Sequence, residues 1–224
     1  VLAALFFGAK QYNDLKTTVY TALISSCVIC AALMLVGTLC CDSLLRLIKT
    51  PEEVFADSKL YLDIYIYGLP FVFLYNVATG IFSALGDSKT PFIFLACSST
   101  SNIAVDILFV TAFNMGVAGV AWATLIAQAI SACLVLIRLM TSTESYKLIL
   151  KDIRFHKKVL LETVRIGLPG GIQNAVISFS NLIVQYNINS FGAAAVAGCS
   201  AYTKIDGFAI LPVMSFSMAI TTFT

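Results

Sequence analysis

The sequence predicts an all-α fold, a polytopic membrane helix bundle, and three observations carry that class. Of the 224 residues, 59% are hydrophobic and 12% charged, about half the charge share of an ordinary soluble domain. Mean hydropathy is +0.91. A water-soluble fold cannot bury that much apolar surface and cover itself with so few charges. Stretches without Asp, Glu, Lys or Arg come at lengths suited to a bilayer, which takes about 20 apolar residues to cross. The basic residues, finally, are sorted by loop. This composition excludes a disordered chain and a nucleic-acid binder, and argues against a soluble enzyme.

The elements follow in order. Val1–Gly8 is a short apolar remnant. Thr17–Cys41 is a charge-free span of 25 residues and Ile64–Gly86 one of 23. Pro91–Ile137 is too long for one crossing. It holds a single charge, Asp106, and a turn signal at Asn114-Met115-Gly116, so it reads as a hairpin of Pro91–Phe113 and Val117–Ile137. Ile166–Thr203 is an uncharged run of 38 residues broken at Ser190-Phe191-Gly192, and a last segment carries Lys204 and Asp206. The expectation is five complete or nearly complete helices, the remnant, and an unfinished final helix. The chain starts at Val1 and stops at Thr224 inside apolar stretches, and is read as a piece of a longer polytopic protein, with the remainder of its own chain as its first partner.

Boundaries carry local chemistry. Thr50-Pro51-Glu52-Glu53 reads as a capping box with Pro at the first helical position. Gly86-Asp87-Ser88-Lys89-Thr90-Pro91 reads as a C-terminal Gly, a tight turn and a new helix capped by Thr90. Pro169, with Gly167, Gly170 and Gly171, is expected to open a helix, and Pro212 to kink one. The seven cysteines are odd in number and scattered, which is no disulfide framework. Cys27 and Cys30 lack the second pair or histidine that a metal site needs, and read as buried small hydrophobes.

Alternate loops fall on opposite sides of the membrane. One side holds Lys10, Lys16, Lys89, Arg138, Lys147, Lys151, Arg154, Lys157, Lys158 and Arg165, ten basic residues; the other holds Arg46, Lys49 and Lys59, three. The richer side is cytoplasmic by the positive-inside rule. Residues 141–164 form the one long polar stretch, a cytoplasmic linker. It reads as a solvated helix on anionic lipid or as a basic site for a soluble partner. The sole histidine, His156, has no nearby acid or second histidine and carries no catalytic expectation.

An ionisable group deep in a span is costly and marks function. Asp106 is the only charge between Lys89 and Arg138, and Asn102 lies four positions before it on the same helical face. Counted from the inner side, Asn102 lies about 16 Å deep, Asp106 about 22 Å, Asn76 about 15 Å and Thr124 about 20 Å. One carboxylate with neutral oxygens is a ligand set for a hard monovalent cation or a transferable proton. The other reading is interhelical hydrogen bonding that glues the bundle. Gly119, Ala123, Ala127 and Ser131 form a small-residue packing stripe, with Thr124 and Gln128 on the adjacent stripe. Lys204 and Asp206 either line a polar cavity or sit near the outer interface with Lys204 snorkelling.

Three strings now carry a resemblance: Gly80-Ile-Phe-Ser-Ala-Leu-Gly-Asp-Ser-Lys-Thr-Pro91, Asn102-Ile-Ala-Val-Asp106, and Met115-Gly-Val-Ala-Gly-Val-Ala-Trp-Ala-Thr-Leu-Ile-Ala-Gln128. They resemble the multidrug and toxic compound extrusion (MATE) family. Gly167-Leu-Pro-Gly-Gly and Lys204-Ile-Asp-Gly-Phe-Ala-Ile-Leu-Pro212 are similar to the opening of that family's second half. The resemblance implies two six-helix lobes around a central cleft in the complete protein. Residues 1–140 would be the first transmembrane lobe, from the end of the second helix to the sixth. Residues 141–164 would be the linker, and 165–224 the start of the second lobe, its seventh and eighth helices.

It also implies a secondary antiporter of the cell membrane, not an enzyme. Such a protein exports small organic, often cationic compounds in exchange for Na⁺ or H⁺ and needs no cofactor beyond that coupling ion. In some prokaryotic members a first-lobe cation site uses an Asp on the first helix, an Asn on the fourth, an Asn and an Asp on the fifth, and a Thr on the sixth. The last four fall on Asn76, Asn102, Asp106 and Thr124. Gln128, Gln173, Lys204 and Asp206 are expected to border the substrate cleft. Some Na⁺-coupled members carry an acid on the seventh helix, where this chain reads Gln173-Asn-Ala-Val-Ile-Ser178. The alternatives are a lipid or oligosaccharide flippase of similar architecture, whose basic cleft only Lys204 could line, and a membrane-embedded enzyme. The latter needs nucleophiles, paired acids or a metal cluster at the bilayer boundary.

Overall fold

A computed structural model describes residues 2–87, 89–141 and 155–223. Ser88 and residues 142–154, most of the expected linker, lie outside the described residues. The elements are α1 (Leu2–Gly8), α2 (Tyr12–Leu47), α3 (Glu52–Ala84), α4 (Lys89–Ile107), a π-helical turn (Leu108–Ala112), α5 (Gly116–Thr141), α6 (Lys157–Asn189) and α7 (Ala193–Phe223). The fold is all-α. Four of these, α2, α3, α4 with its π turn, and α5, are long and apolar enough to cross a membrane.

Helix ends differ from the sequence expectation in an instructive way. At 36 and 33 residues, α2 and α3 outrun their charge-free spans, because a charge-free run measures the hydrocarbon core and a helix continues past it into the headgroups. Pro169 does not open α6. It sits inside a helix that already began at Lys157, and Pro70 and Pro212 likewise sit inside α3 and α7. Membrane helices tolerate such prolines where neighbouring groups satisfy the freed backbone. The cap of α4 is also not Thr90. The α3 end closes with Gly86 at φ +81, the Asp87 N–H on the Phe82 carbonyl at 2.9 Å and the Gly86 N–H on the Ser83 carbonyl at 3.2 Å, a Schellman motif. That turn hands the cap to Asp87, whose Oδ1 accepts the Thr90 N–H at 3.0 Å.

The chain divides into two units. The first is Val1–Asp42 with Asp57–Ala175. Its core joins Leu15, Val19, Tyr20 and Leu23 of α2 to Ala78, Ile81 and Phe82 of α3 and Val135 and Leu139 of α5. Phe94 of α4 packs against it. The Tyr75 hydroxyl donates to the Pro91 carbonyl at 3.2 Å, tying α3 to the start of α4. The second unit is Ser43–Ala56 with Val176–Thr224. In it Asn189 Nδ2 donates to the Ile48 carbonyl at 2.6 Å and its Oδ1 accepts from Gln185 Nε2 at 2.7 Å. Lys49 Nζ lies 4.7 Å from the centre of the Tyr186 ring. All seven thiols are free; Cys30 and Cys41 are buried, whereas Cys27, Cys97 and Cys133 are exposed rather than buried.

Candidate functional site

The site is built where α4 and α5 pack antiparallel and α3 covers them. Ser98, Asn102 and Asp106 follow one another at one-turn spacing on α4. On α5 the returning turns carry Thr124, Gln128 and Ser131. The register between the two helices is set by the buried Ser98 hydroxyl, which donates to the Ala127 carbonyl at 2.6 Å. One turn further along each helix toward their connection brings Asn102 beside Thr124. A cavity of about 270 Å³ results, lined by Tyr65, Ser98, Asn102, Thr124, Gln128 and Ser131 among others.

The polar atoms here are not paired off. Asn102 Nδ2, Asp106 Oδ1 and Gln128 Oε1 are buried and have no hydrogen-bond partner among the described residues. Each such atom forfeits its hydration without compensation, at a cost of about 1–3 kcal/mol. Asn102 and Gln128 line the cavity from facing helices, while Asp106, one turn beyond Asn102 on α4, does not line it. Two of the lining hydroxyls have committed their protons: Thr124 Oγ1 donates to the Val120 carbonyl at 2.9 Å, and Ser98 to Ala127. Their oxygens keep lone pairs and no spare proton. Asn102 presents either amide oxygen or nitrogen by a half-turn of its terminal torsion.

Asp106 stands at the end of regular α-helix. The π-helical turn begins two residues later, at Leu108. Such turns shift the register of the following side chains and recur at functional sites. Gly119 of α5 faces it, since a β-carbon there would lie 3.0 Å from Phe109 Cβ.

The structure joins Asn102, Thr124 and Gln128 in one cavity and sets Asn76 apart. Asn76 is exposed and its Nδ2 donates to the Val72 carbonyl at 2.8 Å. It borders a larger, apolar cavity of about 620 Å³ with Thr21, Ser25 and Thr163. Depth along a helix fixes level but not azimuth. On α3 Tyr65, Val72 and Tyr75 face α4 and α5, and Asn76, one turn from Val72, stands at the edge of that face and opens onto the other cavity, which Val72 also borders. Gln173 and Lys204 are exposed and Asp206 is half-buried. Ser98, Ser131 and Tyr65 had no place in the sequence reading. Ser98 was legible one turn before Asn102, and Ser131 had been absorbed into the packing stripe.

The family model described as MatE matches residues 1–108, a stretch that includes Asn102 and Asp106. A probable multidrug resistance protein of Bacillus subtilis, YpnP, is 32% identical over 185 residues, covering 81% of this chain and 40% of that protein. This chain belongs to the MATE family. A second B. subtilis relative of the same description, YoeA, is 29% identical over 100% of this chain and 50% of its own length. The multidrug export protein MepA of Staphylococcus aureus is 23% identical over 92% of this chain and 46% of its own. Among solved structures, a MATE transporter of the MOP superfamily in its inward-facing conformation superposes with a TM-score of 0.85 at 23% identity, over 95% of this chain and 49% of that one. The MATE chain described here spans about half the length of the relatives it matches.

Proposed function

We propose that this chain is part of a secondary antiporter that exports organic, often cationic compounds across the cell membrane in exchange for Na⁺ or H⁺, with Asn102, Asp106 and Thr124 holding the coupling ion. One observation carries the reading. Asp106 is a carboxylate in an apolar span, its Oδ1 buried and unpaired, one turn from Asn102 and on the helix that faces Thr124. A lone carboxylate with neutral oxygens suits a monovalent cation or a proton, whereas divalent ions draw more charge. The multidrug descriptions of the relatives support the substrate class, and the naming of MepA as an export protein supports transport without chemical turnover. The ten-to-three sorting of basic residues supports a cytoplasmic 141–164 segment. Antiport follows by linkage when the ion and the organic substrate favour different states of one protein.

The test is efflux of a fluorescent organic cation from proteoliposomes of the full-length protein under an imposed Na⁺ or pH gradient. Asp106→Asn keeps the shape and removes the charge, and is expected to abolish gradient-driven export while leaving insertion intact. Export by that variant with wild-type gradient dependence would overturn the assignment.

A further inference from the structure

We infer that Gln128 belongs to the ion site: its side-chain oxygen is a ligand of a monovalent cation, and Gly68 is the positioning residue that seats it. The inference rests on the reading that Asn102, Asp106 and Thr124 hold the coupling ion. It departs from the expectation that Gln128 borders the substrate cleft.

Gly68 is buried on α3, at one-turn spacing from Tyr65 and Val72, which both line the same cavity as Gln128. A β-carbon on Gly68 would lie 2.6 Å from Gln128 Oε1. Only a residue without a side chain leaves room for the amide there. The amide oxygen is thus pressed into the helix interface, buried, with no donor among the described residues. The Thr124 and Ser98 hydroxyls do not relieve it, because they donate to the Val120 and Ala127 carbonyls. The cavity therefore sets an unpaired amide oxygen near the lone pairs of hydroxyls already bonded elsewhere and near Asn102, whose side chain can turn its own oxygen inward. A cation resolves that arrangement, and neutral oxygens select a hard one. Lying about one turn from Thr124 on α5, at the level of Ser98 and on the side away from Asp106, Gln128 extends the neutral ligands Asn102 and Thr124 along the cavity.

The experiment uses the full-length transporter and Na⁺ alone as the probe, with apparent affinity read from calorimetric titration and from the Na⁺ dependence of efflux. Gln128→Met keeps the volume and removes the oxygen, and is expected to weaken Na⁺ binding about fivefold to tenfold. Gly68→Ala is expected to do the same, because its methyl displaces the flexible end of Gln128 rather than backbone. The double variant is then no weaker than either single one, and the KM for the organic substrate stays as in the wild type. If Gly68→Ala does not fold, Gln128→Met decides alone. Unchanged Na⁺ affinity in Gln128→Met, alongside its loss in Asp106→Asn, overturns this inference and leaves the coupling reading standing. So does a shift confined to the substrate KM, or an additive double variant. If neither Asp106→Asn nor Gln128→Met alters Na⁺ dependence, both readings fall. A wild-type protein that binds no Na⁺ overturns the inference whatever its response to pH.

Discussion

Ser98 hands its hydroxyl proton to the main-chain oxygen of Ala127 at 2.6 Å, with both residues buried between α4 and α5. This bond fixes the sliding register that brings Asn102 beside Thr124. The Ala127 oxygen is also a helix carbonyl with a second lone pair, so removing the serine does not orphan it. Ser98→Ala is therefore expected to destabilise the protein modestly, by about 0.6–1 kcal/mol, the range of interhelical hydrogen bonds in membranes. Thermal unfolding of the full-length protein in detergent measures it. An unchanged midpoint would show that packing alone sets the register.

The geometry ranks the neutral residues around Asp106. Asn102→Ala and Thr124→Ala each remove one neutral group from the shared cavity and are expected to weaken apparent cation affinity several-fold, about 1 kcal/mol each. Asn76→Ala is expected to leave cation affinity unchanged, since Asn76 is bonded to its own helix at Val72 and borders a different cavity. Na⁺- or proton-dependence of efflux in the three variants reads this directly. An Asn76→Ala defect as large as that of Thr124→Ala would mean that α3 turns during the cycle.

The spans and the hairpin of α4 and α5 were legible because charge-free run length is a one-dimensional property, and Asp106 stood out as the lone charge in such a run. Family motifs then supplied the same residues independently. The grouping of Asn76 with Asn102 failed to appear because depth follows from counting, whereas azimuth depends on which face of α3 packs inward. Gly68 carried no signal at all: its role exists only through the Gln128 amide brought against it from α5. The π-helical turn after Asp106 was equally silent, as Leu108–Ala112 reads as ordinary apolar helix.

The Asn189 side chain bridges to Ile48 across 141 residues of sequence, so the α2–α3 connection and the end of α6 share one membrane face. In the proposed orientation that face is external. Single cysteines at Lys49 and Phe191, on a background without native cysteines, are both expected to react with an impermeant maleimide added outside sealed cells. A cysteine at Ser145 is expected to react only after permeabilisation. Labelling of Phe191→Cys and Lys49→Cys from opposite sides would contradict the Asn189–Ile48 bond itself.

Asp87 couples the α3–α4 turn to pH. Its Oδ2 accepts from the Thr90 hydroxyl at 2.6 Å and its Oδ1 from the Thr90 N–H at 3.0 Å. Chiefly these two bonds, with smaller help from the Lys89 backbone and Arg138, hold the carboxyl below its ordinary value of 3.8. The bonds favour the ionised form, so the folded state binds this proton less readily than the unfolded chain does. The stabilisation is therefore fully present above about pH 4, the unfolded value, and is lost as pH falls through the lower folded value. Asp87→Ala is expected to cost about 1 kcal/mol near neutral pH, as removal of a helix N-cap does, and measurably less near pH 3. Asp87→Asn keeps an oxygen that accepts from the Thr90 N–H and cannot ionise, so its stability should show no pH dependence from this position. Thermal midpoints of the full-length wild type and both variants, taken in detergent between about pH 3 and pH 7, separate these outcomes. If the gap between wild type and Asp87→Ala stays constant across that range, the cap does not act through its charge, and the Thr90 bonds are no stronger to a carboxylate than to a neutral acid.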